Sequence, residues 1–565
     1  MITYRFFENK TEKTFLDIII SVDVTEKGMS SFRLPSWRPG RYELQNFSQN
    51  VRGFTAKNQK GEALKVIKKD KDTWLINTEG VTKLEVAYSY YARQMDAGGT
   101  WVDENQWYIN FITCAMLFDD AFDTPCQVYL DVPKAWQIAC SLEKQGEVLQ
   151  AANYYELLDS PLIASPTLQC IEYSTKGCDF YLWFQGEIAL QKERILKDFI
   201  RFTDIQIDLF GAFPTKKYHF LFQILPYRHY HGVEHAHSTV ITLGPHYDFY
   251  SEKMYSDFLG VSSHELFHTW NVTRLRPVEM VPYNFFNENY FNTGFIAEGI
   301  TTYYGDYMLK KSGVFSLEQY LKELNKLLER HLGNAGRKHA ALTDSSVDLW
   351  LDGYKKGVPG RKVSIYVEGA LAALILDLKL RLESNGGKSL DNVIRLMWER
   401  HSKGGFTFDQ YVACVNEVAG KNMQSYFDAF IEGKFSAEES LRELLPQFGL
   451  ELKEKDSDNI EEKRFGIKLQ WQNDKLKVVE VAEGAPAAQH LERDDEIVAI
   501  NLIKPAKNSS AMFEKEAIHL HFFSHGCLKE VTLKADGGNY FELYEVKNNN
   551  KAGMTEKMRK NQWLG

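Results

Sequence analysis

Ser263-His264-Glu265-Leu266-Phe267-His268-Thr269-Trp270 is the stretch from which the rest of this chain can be interpreted. It contains H-E-x-x-H, and on a helix this spacing places two histidines on one face, where both imidazoles can reach one zinc ion. The glutamate between them lies beside the open coordination position and can take a proton from zinc-bound water. The stretch therefore predicts His264 and His268 as metal ligands and Glu265 as general base. A core helix with two hydrogen-bonded histidines is the alternative.

A catalytic zinc site also needs a third protein ligand and an open position for water. Downstream, Glu298 lies within the apolar segment FIAEGITTYY, residues 295–304. A carboxylate buried among Phe, Ile and Tyr is costly unless it is paired or binds a metal. We therefore predict that His264, His268 and Glu298 together hold one zinc ion per chain.

Composition limits the class of protein. The chain has 565 residues, 44% hydrophobic and 25% charged, which is typical of several globular domains. Its net charge of −9 gives no basic surface for nucleic acid. Seven cysteines without a C-x-x-C pair indicate neither a disulfide framework nor a thiolate zinc site.

The sequence also bears on location. No apolar run is long enough for a membrane span, and the N-terminus does not have the pattern of a signal peptide. We therefore expect a soluble, cytoplasmic protein. A periplasmic or secreted protein is possible if a signal peptide has been removed.

The pattern of apolar residues changes along the chain and predicts a multidomain α+β fold. Residues 1–170 favour a β-sandwich-like domain, with strands over 14–24, 83–91 and 126–132. Residues 171–450 show helical spacing over 258–269, 295–311, 317–332, 366–384, 390–402 and 408–418. After a polar linker at 453–463, residues 460–548 suggest strands over 466–471, 475–481 and 496–500 and a helix near 511–520. A charged tail, 549–565, is expected to be frayed.

The zinc motif and its surroundings resemble the gluzincin metallopeptidases, including the aminopeptidase N family. H-E-x-x-H-x-W is followed by a helix with E-G-x-T, here beginning at Glu298. The closer resemblance is to the glycyl aminopeptidase family, zinc peptidases with a PDZ domain, and it extends through HTWNVTRLRP (268–277), PSWRPGRY (35–42) and SSVDLW (345–350). It implies a mainly α-helical, thermolysin-like catalytic domain with the ligands and base named above.

A motif upstream of the zinc helix bears on the choice between aminopeptidase and endopeptidase. His231-Gly232-Val233-Glu234-His235 is similar to the G-x-M-E-N strand of aminopeptidases, whose glutamate binds the free α-amine of the substrate. A buried ammonium needs such a carboxylate partner. The resemblance implies that Glu234 anchors the amine, that Gly232 lets the substrate backbone approach, and that Val233 helps to shape the first-residue pocket. His231 and Val233 depart from the family pattern, so the first-residue preference stays open.

Downstream, Tyr366-Val367-Glu368-Gly369-Ala370 resembles the Y-x-K-G-A element of the same peptidases. The resemblance implies that the Tyr366 hydroxyl donates a hydrogen bond to the oxyanion of the tetrahedral intermediate. Glu368 replaces the usual lysine. Thr302 stands where thermolysin-like endopeptidases carry an aspartate, which argues against that branch.

Residues 460–548 resemble a PDZ domain. The similarity lies in GAPA (484–487) and in LERDDEIVAIN (491–501), where Asp494 takes the place of a glycine. PDZ domains bind chain termini by adding a strand to a sheet edge. A C-terminal peptide ligand is one interpretation, and a packed structural domain without a ligand is the other.

Together these features predict a zinc-dependent aminopeptidase that acts on peptides with a free N-terminus. The family resemblance implies a small first residue, Gly or Ala. Two alternatives stay open: a zinc endopeptidase with the same metal site, and a non-catalytic protein that binds partners through its PDZ domain. The sequence does not determine the oligomeric state.

Overall fold

A computed structural model of the chain describes every residue except 26, 27, 356, 435, 456, 458 and 508. A β-rich N-terminal region, a central region of one sheet and many helices, and a small β-rich C-terminal region follow one another. The predicted multidomain α+β class is confirmed. Within the described part of the chain, no helix combines the length and apolar character needed to cross a membrane.

The N-terminal region is built mainly from short strands, with two short helices, α1 (Phe111–Cys114) and α2 (Tyr154–Leu158). Its strands are β1 (Ile2–Glu8), β2 (Phe15–Asp23), β3 (Met29–Arg33), β4 (Val51–Lys57), β5 (Val66–Lys68), β6 (Thr73–Asn77), β7 (Lys83–Tyr91), β8 (Trp101–Val102), β9 (Trp107–Ile109), β10 (Leu117–Phe118), β11 (Cys126–Leu130), β12 (Gln137–Cys140), β13 (Glu143–Gln145), β14 (Val148–Ala151) and β15 (Leu162–Ser165). They form sheets in the orders β13-β14-β11-β1-β2-β7-β4, β10-β3-β6-β5 and β12-β15-β9-β8.

The largest of these sheets has one face in the core. Every second side chain of β1 and β7 is buried, and β2 shows the same alternation over most of its length. This alternation is the pattern of a half-buried antiparallel strand. The strands predicted over 14–24, 83–91 and 126–132 are therefore confirmed, each to within two residues.

The central region contains a five-stranded mixed sheet. Its strands are β16 (Gln169–Thr175), β17 (Cys178–Gln185), β18 (Lys217–Ile224), β19 (His229–Glu234) and β20 (Ser238–Gly244). They lie in the order β16-β17-β18-β20-β19, with β17, β18 and β20 parallel and β19 antiparallel at the edge. The edge strand β19 and its neighbour β20 lie against the helix that carries the H-E-x-x-H motif.

The helices of the central region follow the predicted pattern closely. They are α3 (Lys192–Phe210), α4 (Glu252–Phe267), α5 (Thr301–Lys311), α6 (Leu317–Leu332), α7 (Leu342–Val347), α8 (Leu349–Asp352), α9 (Val367–Glu383), α10 (Leu390–His401), α11 (Phe408–Ala419), α12 (Gln424–Phe430) and α13 (Ala437–Leu444). All six predicted helices are present, with two differences at the ends. Helix α4 begins earlier than predicted, and residues Phe295–Ile300, predicted as α-helix, form a π-helical turn that leads into α5.

The C-terminal region is an antiparallel sheet preceded by the short helix α14 (Ile460–Phe465). Its strands, in both chain and sheet order, are β22 (Ile467–Gln472), β23 (Lys475–Val481), β24 (Glu496–Ile500), β25 (Ala517–Ser524) and β26 (Cys527–Lys534). The prediction of a helix near 511–520 is wrong. A single 3-10 turn, Ser509–Phe513, is followed by β25, because Ile518, Leu520 and Phe522 alternate into the core with a period of two.

Among the described residues, much of the predicted linker (453–463) and of the predicted frayed tail has regular secondary structure. Within the predicted linker, residues 453–455 belong to β21 (Leu450–Lys455), which pairs with β27 (Leu543–Asn548), and residues 460–463 lie in α14. The predicted frayed tail forms α15 (Met554–Leu564). Its penultimate helical residue, Trp563, is fully buried against the central region, so the prediction of a frayed tail is wrong. The domain boundaries given above stay predictions.

Candidate metal centre and peptide site

The H-E-x-x-H segment forms the last turn of α4, with His268 as its C-terminal cap. The Nε2 atoms of His264 and His268 are 3.0 Å apart. Oε2 of Glu298 lies 3.3 Å from Nε2 of His268 and 3.8 Å from Nε2 of His264. The structure thus brings the three predicted ligands together around one point.

This donor set fits a divalent transition-metal ion. Nδ1 of His268 donates to the backbone oxygen of Asn271 at 3.1 Å, so Nε2 is the nitrogen that faces the shared point. Burial alone would raise the pKa of Glu298, but the imidazoles of His268 and His264 lower it to about 2, so the carboxylate is charged. Two imidazoles and a carboxylate are the ligand types of a catalytic zinc site.

A π-helical turn presents Glu298 to the histidines. Such a turn leaves backbone carbonyls without their usual helical partners. The side-chain amide of Asn271 donates to the carbonyls of Ile296 at 2.8 Å and Ala297 at 3.1 Å. Asn271 therefore orients His268 with its own carbonyl and fixes the Glu298 turn with its amide. Asn271 lies within the segment 268–277 that carries the family resemblance, but its spacing alone predicts no role for it.

A loop of the N-terminal region, residues 35–42, closes over the metal centre. The Tyr42 hydroxyl donates to Oε1 of Glu298 at 3.5 Å, and this is not the oxygen that faces the histidines. The Trp37 ring packs edge-on against Trp350, with centroids 4.9 Å apart. Two segments that carried the family resemblance, 35–42 and 345–350, are thus in contact. Tyr42 is a further site residue that the sequence analysis missed.

Glu265 lies beside the metal position without being one of the three ligands. It is 4% exposed, and its Oε2 has no hydrogen-bond partner among the described residues. Burial raises the pKa of Glu265 well above its usual range, and the nearby Glu234 carboxylate adds to the effect. A carboxylate in this position and environment can accept a proton from water.

Gly232 makes room for Glu265. A Cβ at residue 232 would overlap Oε1 of Glu265 and would lie 2.6 Å from its Cδ. We expect Gly232→Ala to lower kcat by about 10²-fold with the metal content unchanged, because a small displacement of a catalytic group has an effect of this size.

Parallel measurements of kcat and bound metal would test this expectation. Gly260→Ala on α4 is the control, since the nearest atom to its added Cβ would be 3.7 Å away. An unchanged kcat in Gly232→Ala would contradict the expectation.

Glu234 ends strand β19 on the same side as Gly232. Its carboxylate is 5% exposed, and it forms a group with Glu265 and His268 in which the ligand atoms lie within 4.8 Å of one another. A Cβ on Gly40, in the N-terminal loop, would lie 2.6 Å from Oε2, so this glycine leaves room for the carboxylate. Oε1 has no hydrogen-bond partner among the described residues. A buried carboxylate oxygen without a partner is a place where a cation would be stabilised.

A cavity of about 540 Å³ leads to Glu234, and Arg38, Asp159, His235 and Tyr283 are among its lining residues. The side chain of Val233 belongs instead to a hydrophobic cluster with Leu221 and Val240. Of the predicted substrate-binding residues, the structure therefore brings Glu234 to the cavity, places Gly232 against Glu265 and packs Val233 in the core.

Tyr366 stands at the N-terminal cap of α9, close to the Glu298 turn. The turn and the helix can approach because both contain a glycine here: a Cβ on Gly369 would lie 2.9 Å from Cα of Gly299. Tyr366 and Tyr354 pack against the same hydrophobic cluster, which includes Trp37 and Trp350. Burial raises the pKa of Tyr366 well above its usual range, and the Glu298 charge raises it further, so the hydroxyl keeps the proton that it would donate.

Glu368, which replaces the family's lysine, faces a buried histidine. Nδ1 of His331 is 3.4 Å from Oε1 of Glu368, and its Nε2 is 3.4 Å from Oε2 of Glu438. Arg337 donates to Oε1 of Glu438 at 2.8 Å, and the backbone N–H of Ser364 donates to Oε2 of Glu368 at the same distance. His331 thus lies between two carboxylates near the start of α9.

The stability that this cluster contributes should depend on pH. Burial opposes a charge on His331, but Glu368 and Glu438 raise its pKa; His331 and Arg337 lower the pKa of Glu438 to about 2. The His331 contribution is complete below its unfolded pKa of about 6.5 and is lost as pH rises through the raised folded value. The Glu438 contribution is complete above about 4.3 and is lost as pH falls towards 2.

We therefore expect His331→Gln to destabilise the fold most between about pH 4.3 and 6.5, by about 3 kcal/mol, because one buried and one partly buried carboxylate lose a cation. Urea unfolding at pH 5.5 and pH 9 would measure the difference. His339→Gln, in an ion pair whose side chains are 46% and 62% exposed, is the control. A deficit that grows towards pH 9 would contradict the expectation.

Comparison with known families gives two matches. The Peptidase M61 N-terminal domain matches residues 3–166, and the M61 glycyl aminopeptidase domain matches residues 257–372. The first match includes the loop at 35–42. The second includes the H-E-x-x-H segment, Glu298 and Tyr366.

Comparison with solved structures gives further relatives. An aminopeptidase N family protein from Idiomarina loihiensis is 26% identical, with a TM-score of 0.90 over 100% of both chains. An M1 zinc metallopeptidase from Deinococcus radiodurans is 14% identical, with a TM-score of 0.48 over 77% of this chain and 94% of that one. No curated protein sequence matches significantly.

Proposed function

Since the chain carries both the N-terminal and the catalytic domain of the M61 glycyl aminopeptidase family, we propose that it releases the first residue of peptides in a zinc-dependent reaction. The family resemblance drawn from motifs is confirmed by these matches, and so is the enzyme class, a metallo-aminopeptidase hydrolase. The observation that supports the exopeptidase reaction most directly is the buried, unpartnered Oε1 of Glu234 beside the metal position.

His264, His268 and Glu298 would hold the zinc ion. When bound, zinc supplies Lewis-acid chemistry, polarising a carbonyl and acidifying water. The chain's own contribution is to keep these ligands fixed: Asn271 holds His268 and the π turn, and Tyr42 donates to Glu298. One zinc ion per chain at this position is part of the proposal.

Three side chains and one glycine would then divide the reaction between them. Glu265 removes a proton from the attacking water and later delivers it to the leaving amine. Tyr366 donates to the oxyanion that develops on the scissile carbonyl, and a preorganised donor of this kind contributes about 2.7–4 kcal/mol. Glu234 binds the α-ammonium, so that the first peptide bond lies at the metal position. Gly232 keeps the space that the Glu265 carboxylate occupies.

We extend the proposal to a small first residue, Gly or Ala, on the strength of the family resemblance. The departure at His231 does not put a charged ring beside the substrate: burial and the neighbouring Arg38 lower its pKa to about 3. Its Nδ1 accepts a hydrogen bond from the backbone N–H of Ala97 at 3.2 Å. The ring is therefore held against the N-terminal region.

For the C-terminal region, capture of a peptide C-terminus by strand addition is a further proposal. The edge strands of its sheet are β22 and β26. The presence of a sheet edge is the feature that supports PDZ-type binding. A packed domain without a ligand is the alternative.

Hydrolysis of aminoacyl-p-nitroanilides would test the main proposal. We expect chelator-sensitive release from Gly or Ala substrates, no release from N-acetylated ones, and a large rise in KM for Glu234→Gln. Glu279→Gln, at an exposed position, is the matched control. Internal fragments from an N-terminally blocked peptide would instead establish the endopeptidase alternative and overturn the role of Glu234.

A further inference from the structure

Far along the chain from the catalytic motif, two histidines and a glutamate meet on the solvent-facing side of the C-terminal sheet. His519 and His521 are two residues apart on β25, so their side chains lie on the same face. Glu530, on the neighbouring strand β26, pairs directly with His521. The alternate β25 residues Ile518 and Leu520 point the other way, into the core.

The three side chains already have the spacing of ligands around one ion. Oε2 of Glu530 is 3.5 Å from Nε2 of His519 and 3.3 Å from Nε2 of His521. The two imidazole centroids are 4.7 Å apart, with the rings at 84°. Ligands bound at 2.0–2.1 Å to a tetrahedral ion are about 3.3–3.4 Å from one another. An ion at this point requires little rearrangement.

The neighbours of His519 and His521 also leave Nε2 of each ring available to bind a metal. Nδ1 of His519 is 3.0 Å from Oγ1 of Thr532. When Nδ1–H of His519 donates to this hydroxyl, the lone pair of Nε2 faces the Glu530 carboxylate. A cation bound between Nε2 and the carboxylate makes their close approach favourable. Nδ1 of His521 is buried without a hydrogen-bond partner among the described residues, so Nε2 is the nitrogen that is available.

We propose that His519, His521 and Glu530 bind a divalent transition-metal ion of the zinc and copper class, as a second metal site separate from the catalytic one. Two imidazoles and one carboxylate suit Zn²⁺, Cu²⁺ or Ni²⁺, whereas Mg²⁺ and Ca²⁺ prefer oxygen ligands. The Glu530 side chain is 68% exposed, so water can complete the coordination. The ion connects β25 to the edge strand β26 and stabilises the C-terminal sheet by binding its folded form.

Metal counting would test the second site in the full, untagged chain. After equilibration with zinc and removal of the excess, we expect two zinc ions per chain in the wild type. His519→Gln/His521→Gln should retain one, His264→Gln/His268→Gln should also retain one, and the combined variant should retain none. His525→Gln is the control: this histidine is 84% exposed and forms an ion pair with Glu492, so the count should stay at two.

Titration of zinc into the His264→Gln/His268→Gln variant gives an independent readout. One saturable site should be seen by calorimetry, and it should disappear when His519 and His521 are also replaced. One zinc ion in the wild type, unaffected by the β25 substitutions, overturns the second site. A single zinc ion that is lost in His519→Gln/His521→Gln but kept in His264→Gln/His268→Gln supports the second site. The same result contradicts the catalytic zinc site.

Discussion

Replacing Glu265 by glutamine should lower kcat by about 10²–10⁴-fold and leave the zinc content unchanged. Glutamine has the shape of glutamate but cannot take a proton from water. The ligand atoms of His264, His268 and Glu298 lie together without Glu265. The variant therefore separates proton transfer from metal binding.

The measurement is kcat on a Gly or Ala substrate, together with zinc counted on the same sample. Glu234→Gln is the informative neighbour, because it should act mainly on KM for substrates with a free amine. If Glu265→Gln loses zinc along with activity, Glu265 is a ligand and the assignment of Glu298 fails. If it keeps full activity, the proton acceptor is another group.

Most of the candidate metal centre could be predicted because its signals are local. The i, i+4 histidines follow from helix geometry, and Glu298 follows from the cost of burying a charge in an apolar segment. Both arguments need only a few consecutive residues. The structure brings these residues together as expected.

The supporting contacts could not be predicted because they join distant parts of the chain. Tyr42 reaches Glu298 from the N-terminal region, and the side-chain amide of Asn271 donates to carbonyls of the π turn. The close fit of Gly232 against Glu265 depends on how β19 packs on α4. None of these contacts follows from the spacing of residues that are close together in the sequence.

The predictions of a helix near 511–520 and of a frayed tail were wrong for a different reason. In both segments the sequence itself contains the pattern that the structure follows. Apolar residues at 518, 520 and 522 alternate as in a strand, although the segment near 511–520 was predicted as a helix. The tail was judged by its many charged residues. One tryptophan near its end was enough to fix it, because a large aromatic side chain buries much apolar area.

Removal of the Trp563 side chain should have a large effect on stability. Trp563→Ala should lower the free energy of unfolding of the central region by about 3–5 kcal/mol, the usual cost of removing a buried aromatic ring. The ring lies 6.2 Å from Tyr320 and 5.6 Å from Phe448, centroid to centroid. Its Nε1 donates to the Tyr303 hydroxyl at 3.2 Å, and the Tyr307 hydroxyl donates to its backbone oxygen at 3.0 Å.

Urea unfolding and limited proteolysis would measure this loss, with Met558→Ala as the control on the same helix, since Met558 is 54% exposed. Tyr303 and Tyr307 lie on α5, which continues directly from the Glu298 turn. Detachment of α15 should therefore loosen the helix behind a metal ligand, and zinc should dissociate at a lower urea concentration than in the wild type. If Trp563→Ala unfolds like Met558→Ala, the tail does not stabilise the central region, and the buried position of Trp563 is wrong.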